Sequence, residues 1–235
     1  MSRKGFTLAE ILITLTVIGV VAALTIPTLL QNTNQAELKT AWKKKYGEIS
    51  QTVMLLMNDN GGSMKALCGS TGDFEITCLN DLYGNKINYI KKCDALVAYG
   101  NCWHNWHPSD GYYPSTFKYL NGSSFHLNDV WGYFNEFAGG YILNDGTLLL
   151  TVYHDAGCTS AGGTVNPNYG YETYNGCGWI NVDVNGFRGP NRVGKDIFGV
   201  WILENGIKPV GIEKYGNTCS TSNTGTGCAA LYLYQ

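Results

Sequence analysis

The segment Asp183-Val-Asn185-Gly186-Phe-Arg-Gly189-Pro190-Asn191-Arg-Val-Gly194-Lys-Asp196 is where the side chains come nearest to a ligand set. Asp-x-Asn-Gly matches the opening of a calcium loop, in which alternate oxygen side chains face one cation and glycine makes the bend. Asp196 could add a second carboxylate, so Asp183, Asn185 and Asp196 are the candidate ligands and Ca2+ the candidate cofactor. No glutamate stands where an EF-hand places its distal bidentate ligand. The competing reading is a structured turn, with Asn and Gly supplying left-handed backbone and Pro190 fixing the exit.

The chain has eight cysteines: Cys68, Cys78, Cys93, Cys102, Cys158, Cys177, Cys219 and Cys228. The count is even, no Cys-x-x-Cys occurs, and zinc-ribbon spacings are missing, so disulfides are expected rather than zinc. Local pairs are expected because the intervening segments are short, turn-rich and poor in core formers. Cys219–Cys228 and Cys158–Cys177 stand first among them. Cys102-Trp-His104-Asn-Trp-His107 has the residue types of a metal site. Histidines three apart converge only on a helix, however, and Pro108 with its nearby glycines argues for a loop. A disulfide beside an aromatic surface loop is expected there. His126 and His154 have no nucleophile beside them, and no catalytic set emerges. An enzyme is not expected.

Glu10 is a different kind of candidate. It is the only ionisable side chain between Phe6 and Leu30, and Ile11–Leu30 carries no charge at all. As a helix, Phe6 to Leu30 spans roughly 37 Å, enough to cross a bilayer. A secretory signal peptide places its small-residue cleavage site after a shorter apolar run. Here the suitable small residue, Gly5, comes before the run, so the apolar helix would survive processing.

Gly5-Phe6-Thr7-Leu8-Ala9-Glu10 resembles, residue by residue, the processing signature of the type IV prepilin family, which includes type II secretion pseudopilins and competence pilins. The resemblance covers about the first quarter of the chain. It implies cleavage between Gly5 and Phe6 by a prepilin peptidase, methylation of the new Phe6 amine, and a helix break at Pro27. It also implies that Glu10 pairs with the Phe6 amine of a neighbouring subunit during assembly. A carboxylate at a membrane helix centre costs about 2.5–3.5 kcal/mol, less near the end, so an intramembrane glutamate is a functional residue by default. The alternative is a boundary glutamate that snorkels to the headgroups. Some secretion pseudopilins hold calcium in a C-terminal loop, so the resemblance also favours the calcium reading of Asp183, Asn185 and Asp196.

The implied function is a structural subunit of a pilus-like filament anchored in the bacterial inner membrane. A type II secretion pseudopilin or minor pilin is the leading reading, with other pilin-like subunits and the membrane as partners. A competence or adhesive pilin is the alternative, as is a head that binds glycan or a secreted substrate. That last role would show as an exposed aromatic cluster at Trp103, Trp106, Tyr112 and Tyr113. Arg3 and Lys4 favour a cytoplasmic N-terminus, whereas Lys39 and Lys43 to Lys45 follow the span within the window that counts. Eight cysteines downstream favour an oxidising compartment for the rest, periplasmic or extracellular.

Composition agrees with such a placement. Charged residues make up 14% of the chain, against 30 Gly and 16 Tyr, which suits a loop-rich exported β domain. The net charge is −2, and removing Arg3 and Lys4 from 16 basic residues leaves 14 against 18 acidic. No basic face for nucleic acid is expected.

These residues need elements to hold them. Apolar residues recur at Leu38, Trp42, Tyr46, Ile49, Val53 and Leu56, a helical stripe that should end at Asn58-Asp-Asn-Gly-Gly62. Short helices are expected at Leu79–Tyr83 and Val130–Phe137. Tyr141 to Tyr153 reads as a hairpin turning at Asn144-Asp145-Gly146, with further strands at Trp179–Val184, Ile197–Leu203 and Ile207–Ile212. The expected fold is α+β and pilin-like. A leader (1–5), a membrane or filament-core helix (6–30) and its amphipathic continuation (31–60) lead to a disulfide-rich head (61–235). In that head, an antiparallel sheet of four or more strands lies across the C-terminal half of the long helix.

Overall fold

The computed structural model describes residues 5, 7–69, 78–94, 97–105, 118–124, 138–153, 155–161, 175–211 and 219–234. One helix, α1, runs Leu8–Asp59 and contains Pro27. Pro27 therefore does not break the helix, contrary to the expectation. A proline gives up its own N–H bond and crowds the carbonyl four residues back, which can distort a helix without ending it. Thr25 and Thr28 donate to the carbonyls of Val21 and Leu24 beside it, neither of which is the Ala23 carbonyl that Pro27 leaves without its N–H. The helix ends where the sequence said it would. Gly62 N–H bonds back to Met57 C=O at 2.7 Å while Gly61 takes φ 70°, a left-handed stop that glycine makes without penalty.

The chain divides into two units, Met1–Glu37 and Leu38–Gln235, and the boundary falls inside α1. In the first unit every described side chain is exposed except the half-buried Ala22, and its apolar residues find no partner within the unit. By length and composition this is a helix able to cross a membrane. Its threonines are already satisfied: Thr14, Thr16 and Thr33 donate to carbonyls of Ile11, Leu12 and Leu29 in their own helix. Such back-bonding leaves few polar groups for an apolar solvent to strand.

In the second unit, α2 (Cys78–Gly84) and α3 (Cys228–Tyr234) accompany a seven-stranded antiparallel sheet. Its strands are β1 (Tyr89–Cys93), β2 (Gly139–Leu143), β3 (Leu148–Tyr153), β4 (Ser160–Ala161), β5 (Asn175–Asp183), β6 (Ile197–Leu203) and β7 (Gly206–Pro209). The order is β1-β2-β3-β5-β6-β7, with β4 on β5. The β2–β3 hairpin turns at Asn144-Asp145-Gly146, as expected. Strand β7 ends at Pro209, although Val210 N–H still donates to Gly199 C=O at 2.8 Å; Gly211 then takes φ 94°, and Ile212 lies outside the described residues. Strand β1 was not expected: it lies at the sheet edge, is exposed over Tyr89–Lys91, and its Lys91 and Lys92 mask the pattern. Charged residues are how edge strands avoid pairing with other chains. The expected helix at Val130–Phe137 lies outside the described residues, whereas Leu79–Tyr83 falls within α2.

One face of the sheet packs on the stripe of α1. Trp42, Ile49, Val53 and Leu56 share a core with Tyr141, Leu149, Ile180, Val182, Phe198 and Val200. Trp42 stacks on Phe198 with ring centroids 4.6 Å apart, and its indole N–H donates to Ala229 C=O of α3 at 2.9 Å. Lys45 lies inside the buried surface of the helix. It is only 5% exposed, and its ammonium meets Asp145 of the hairpin turn and Glu48, each at 2.6 Å. Burial pulls its pKa down, but these two carboxylates outweigh that and leave it raised.

The opposite sheet face is covered by loops that carry Trp103, Tyr119 and Val193 over Leu148, Leu150, Trp179 and Trp201. The eight cysteines form four local disulfides: Cys68–Cys78, Cys93–Cys102, Cys158–Cys177 and Cys219–Cys228.

Candidate functional site

Two sets of residues carry the functional question, one at the start of α1 and one at the end of β5. At the start of α1, Thr7 is the residue just outside the first helical turn. Its backbone N–H and hydroxyl donate to Glu10 Oε2 at 2.8 and 2.9 Å. In return the Glu10 N–H donates to Thr7 Oγ1 at 3.3 Å, and the Ile11 N–H to Thr7 C=O at 3.2 Å. This reciprocal pair is a capping box, which satisfies backbone donors that a helix start otherwise leaves open. Thr-x-x-Glu stands in plain view in the sequence, yet only Glu10 was singled out there.

Gly5 is exposed, and a Cβ built on it meets nothing within 4 Å. Nothing in the described chain thus demands glycine at that position. Phe6 lies outside the described residues.

The second set sits where β5 hands over to β6. Ile180 and Val182 face α1, so Trp179, Asn181 and Asp183 face the loop-covered side by strand alternation. Asp183 and Asp196 are both 0% exposed. They close the two ends of one connection, with Val184 N–H donating to Asp196 C=O at 2.9 Å. Gly186 makes the bend at φ 74°, so close to the carbonyl of Gly146 that a Cβ would collide with it.

Asp183 Oδ1 accepts from Asn185 N–H at 3.1 Å, and Asp196 accepts from the N–H groups of Asn191 and Arg192 at 2.8 and 2.6 Å. Asp183 Oδ2 meets His104 Nε2 at 2.7 Å. Burial pushes the His104 imidazole down to about 4, the nearby Asp196 charge opposing only in part. The His104–Asp183 contact is therefore a one-proton hydrogen bond rather than an ion pair between full charges. Burial pushes both carboxyls up, Asp183 well above the ordinary 3.8 and Asp196, with Asp183's charge adding to it, to about 7.

Among the described residues, three amide side chains nearby find no hydrogen-bond partner for buried atoms: both polar atoms of Asn181, and Oδ1 of Asn185 and Asn191. Asn181 is fully buried and Asn191 only 7% exposed. A buried carboxamide left without partners costs on the order of 1–3 kcal/mol, so a polar occupant would relieve it. Among the described residues no three His, Cys, Asp or Glu side chains group to hold a metal. What the connection offers is two carboxylates with amide oxygens, the donor chemistry of a hard cation rather than of zinc.

Asp183, Asn185 and Asp196, picked from sequence, thus lie together. His104 and Asn181 were missed as members of the same neighbourhood. His104 is 79 residues away from Asp183 in sequence, and no local pattern links them. His104 lies in a loop, as expected, while His107 is outside the described residues. Trp103, expected in an exposed aromatic cluster, is instead fully buried. The disulfide beside it and the apolar sheet face beneath it draw the indole inward. Trp106, Tyr112 and Tyr113 lie outside the described residues.

Residues 1–26 match the family model of the prokaryotic N-terminal methylation motif, the type IV prepilin-like signature. No curated protein and no solved structure matches the chain.

Proposed function

We propose that this chain, which carries the type IV prepilin-like signature, is a pilin-like subunit that works as a type II secretion pseudopilin or minor pilin. One observation carries the reading. The exposed apolar stretch Leu8–Leu30 has a single carboxylate, Glu10, in its first turn, five residues after an exposed glycine that nothing in the described chain requires. A peptidase that needs Gly5 and a neighbour that needs Glu10 account for both features.

In this reading, cleavage after Gly5 makes a new amine on the residue preceding Thr7. The Glu10 carboxylate, already drawn toward that end by Thr7, exchanges partners within the filament. Growth then moves the α1 surface from lipid to neighbouring helices, and the exposed heads are pushed or displayed. The role is structural rather than catalytic. A cytoplasmic N-terminus with the head outside is supported by four disulfides and by the burial of Lys45, which removes one cation from the count after the span.

The burial of Trp103 takes one anchor from the glycan-binding alternative. The β5–β6 connection adds a second proposal, that Asp183, Asn185, Asn191 and Asp196 hold Ca2+. Its support is the pair of buried carboxylates that among the described residues have no Lys or Arg partner, beside amide oxygens that lack donors there. The cation would supply the charge that these carboxylates otherwise lack and tie the two ends of the connection together.

The processing claim is tested by intact mass of the membrane-extracted protein. Loss of Met1 to Gly5 and one added methyl are expected. A retained leader in cells with an active prepilin peptidase would overturn the assignment.

A further inference from the structure

The carboxyl groups of Asp183 and Asp196 belong to one connection, but a contact to Asp183 comes from far outside it. His104 follows Cys102, whose disulfide to Cys93 ties this loop to the end of edge strand β1. Within the loop, the N–H groups of Cys102 and Trp103 both donate to Ala98 C=O, at 2.8 and 2.9 Å. The Trp103 indole is buried against the sheet. Three constraints therefore fix the backbone just before His104: the disulfide, the Ala98 turn and the Trp103 anchor. The imidazole meets the ring of Phe187 edge-on, centroids 5.6 Å apart, and its Nε2 reaches Asp183 Oδ2 at 2.7 Å.

From within its own connection the Asp183 carboxyl accepts from the N–H groups of Asn185, on Oδ1 at 3.1 Å, and of Gly186. The His104 contact on Oδ2 comes from outside the connection and fixes the plane of the group against another loop. Histidine is suited to this, because it gives a hydrogen bond without the permanent charge with which Lys or Arg would compete against a bound cation. The unpartnered amide atoms of Asn181 and Asn191, both more than nine-tenths buried, show that this neighbourhood has polar capacity to spare.

We infer that His104 is a positioning residue for the cation site at the β5–β6 connection, holding the Asp183 carboxyl so that its remaining lone pairs face the ion. The inference rests on the calcium reading of that connection. It makes the site a joint product of two loops that the sequence keeps far apart.

The test is calorimetric titration of the oxidised, full-length protein in detergent with calcium chloride, comparing wild type, His104→Gln and His104→Leu. The wild type should bind. His104→Leu should weaken binding by roughly 10–100-fold, the usual effect of removing a group that orients a metal ligand. His104→Gln, which keeps an N–H donor of similar reach, should recover most of the loss. A purely structural histidine would lower the chelator melting temperature without changing the affinity of the folded protein. Should the Leu variant fail to fold, His104→Asn, polar but too short, takes its place with the same expected loss. If wild type binds and the Leu or Asn variant binds as tightly, His104 has no positioning role and the calcium reading survives. If wild type does not bind, the calcium reading falls and this inference falls with it.

Discussion

The two halves of α1 are one continuous helix in two different settings. From Leu8 to Glu37 nothing is buried, although the residues are mostly apolar through Leu30. From Leu38 onward one stripe is buried, while the other faces carry mostly polar and charged groups with Met54 and Leu55 exposed among them. The second half has found its partners inside the chain. The first has not, and in the function proposed above its partners would be lipid and other subunits. The same local geometry would then serve folding in one half and assembly in the other, with only the side chains differing.

The sharpest way to break that comparison is to truncate matched residues in each half. Trp42→Ala removes the stack on Phe198 and the bond to Ala229, and should cost the head about 3–5 kcal/mol. Leu24→Ala, in the exposed half, should leave the melting of the head unchanged and weaken only membrane or filament packing. Denaturant unfolding followed by tryptophan fluorescence separates the two. Equal losses of head stability would erase the distinction.

A smaller effect is expected at Lys45. Asp145→Asn removes one of the two carboxylates on a buried ammonium and should cost about 1–2 kcal/mol, below the full price of a buried pair because the Asp145 side chain is 43% exposed. Burial pushes Asp145 up, but bonds from Lys45 and Thr147 outweigh it and hold the carboxyl below 3.8. Its contribution is therefore present above the ordinary value and lost as pH falls through the lowered one. In acid the wild type and the Asn variant should converge.

The β5–β6 connection gives a pH signature of opposite sign. Asp196, raised to about 7, contributes stability that is full below 3.8 and lost as pH rises through about 7. His104, lowered to about 4 from 6.5, contributes stability that is present above 6.5 and lost as pH falls through about 4. The two oppose each other between those values. Above 6.5 only the carboxyl loss remains, so in chelator the melting temperature should fall between pH 6.5 and 8. Calcium should flatten that slope, and Asp196→Asn should remove much of it. A chelated protein whose stability rises over this range would contradict the assignment.

The smallest effect belongs to Thr7. Thr7→Val deletes the capping hydroxyl, a loss of about 0.5–2 kcal/mol confined to the first turn of α1. Amide exchange of the first-turn residues in micelles should quicken while the head melts as before.

How much of this was legible follows from the range of each signal. The α1 stripe, its glycine stop and the β2–β3 hairpin are local patterns, and each was read close to where it lies. Strand β1 was hidden because an exposed edge carries lysines in place of an apolar alternation. Pro27 misled because a proline inside a helix can be carried as a local distortion rather than an end, and the residue itself does not state which. Asp183 and Asn185 were legible from a local turn motif. His104, Asn181 and the Lys45–Asp145 pair were not, since each depends on a tertiary approach that no spacing encodes. Alternation in Trp179-Ile-Asn-Val-Asp183 reads as one apolar and one polar face, yet a loop covers the polar face as well.

Assembly through Glu10 tests the central claim most directly. The measurement is the fraction of subunits in sheared or cross-linked filaments, with Glu10→Gln and Glu10→Ala expressed beside wild type. Both variants should insert and be cleaved, since the cut lies upstream and the loss of a carboxylate only eases the span's place in lipid. Both should enter filaments poorly, Glu10→Gln included, because it keeps size and hydrogen bonding while losing the charge that answers a neighbour's amine. Wild-type incorporation of both variants would contradict the account and leave Glu10 as a helix cap at the membrane boundary.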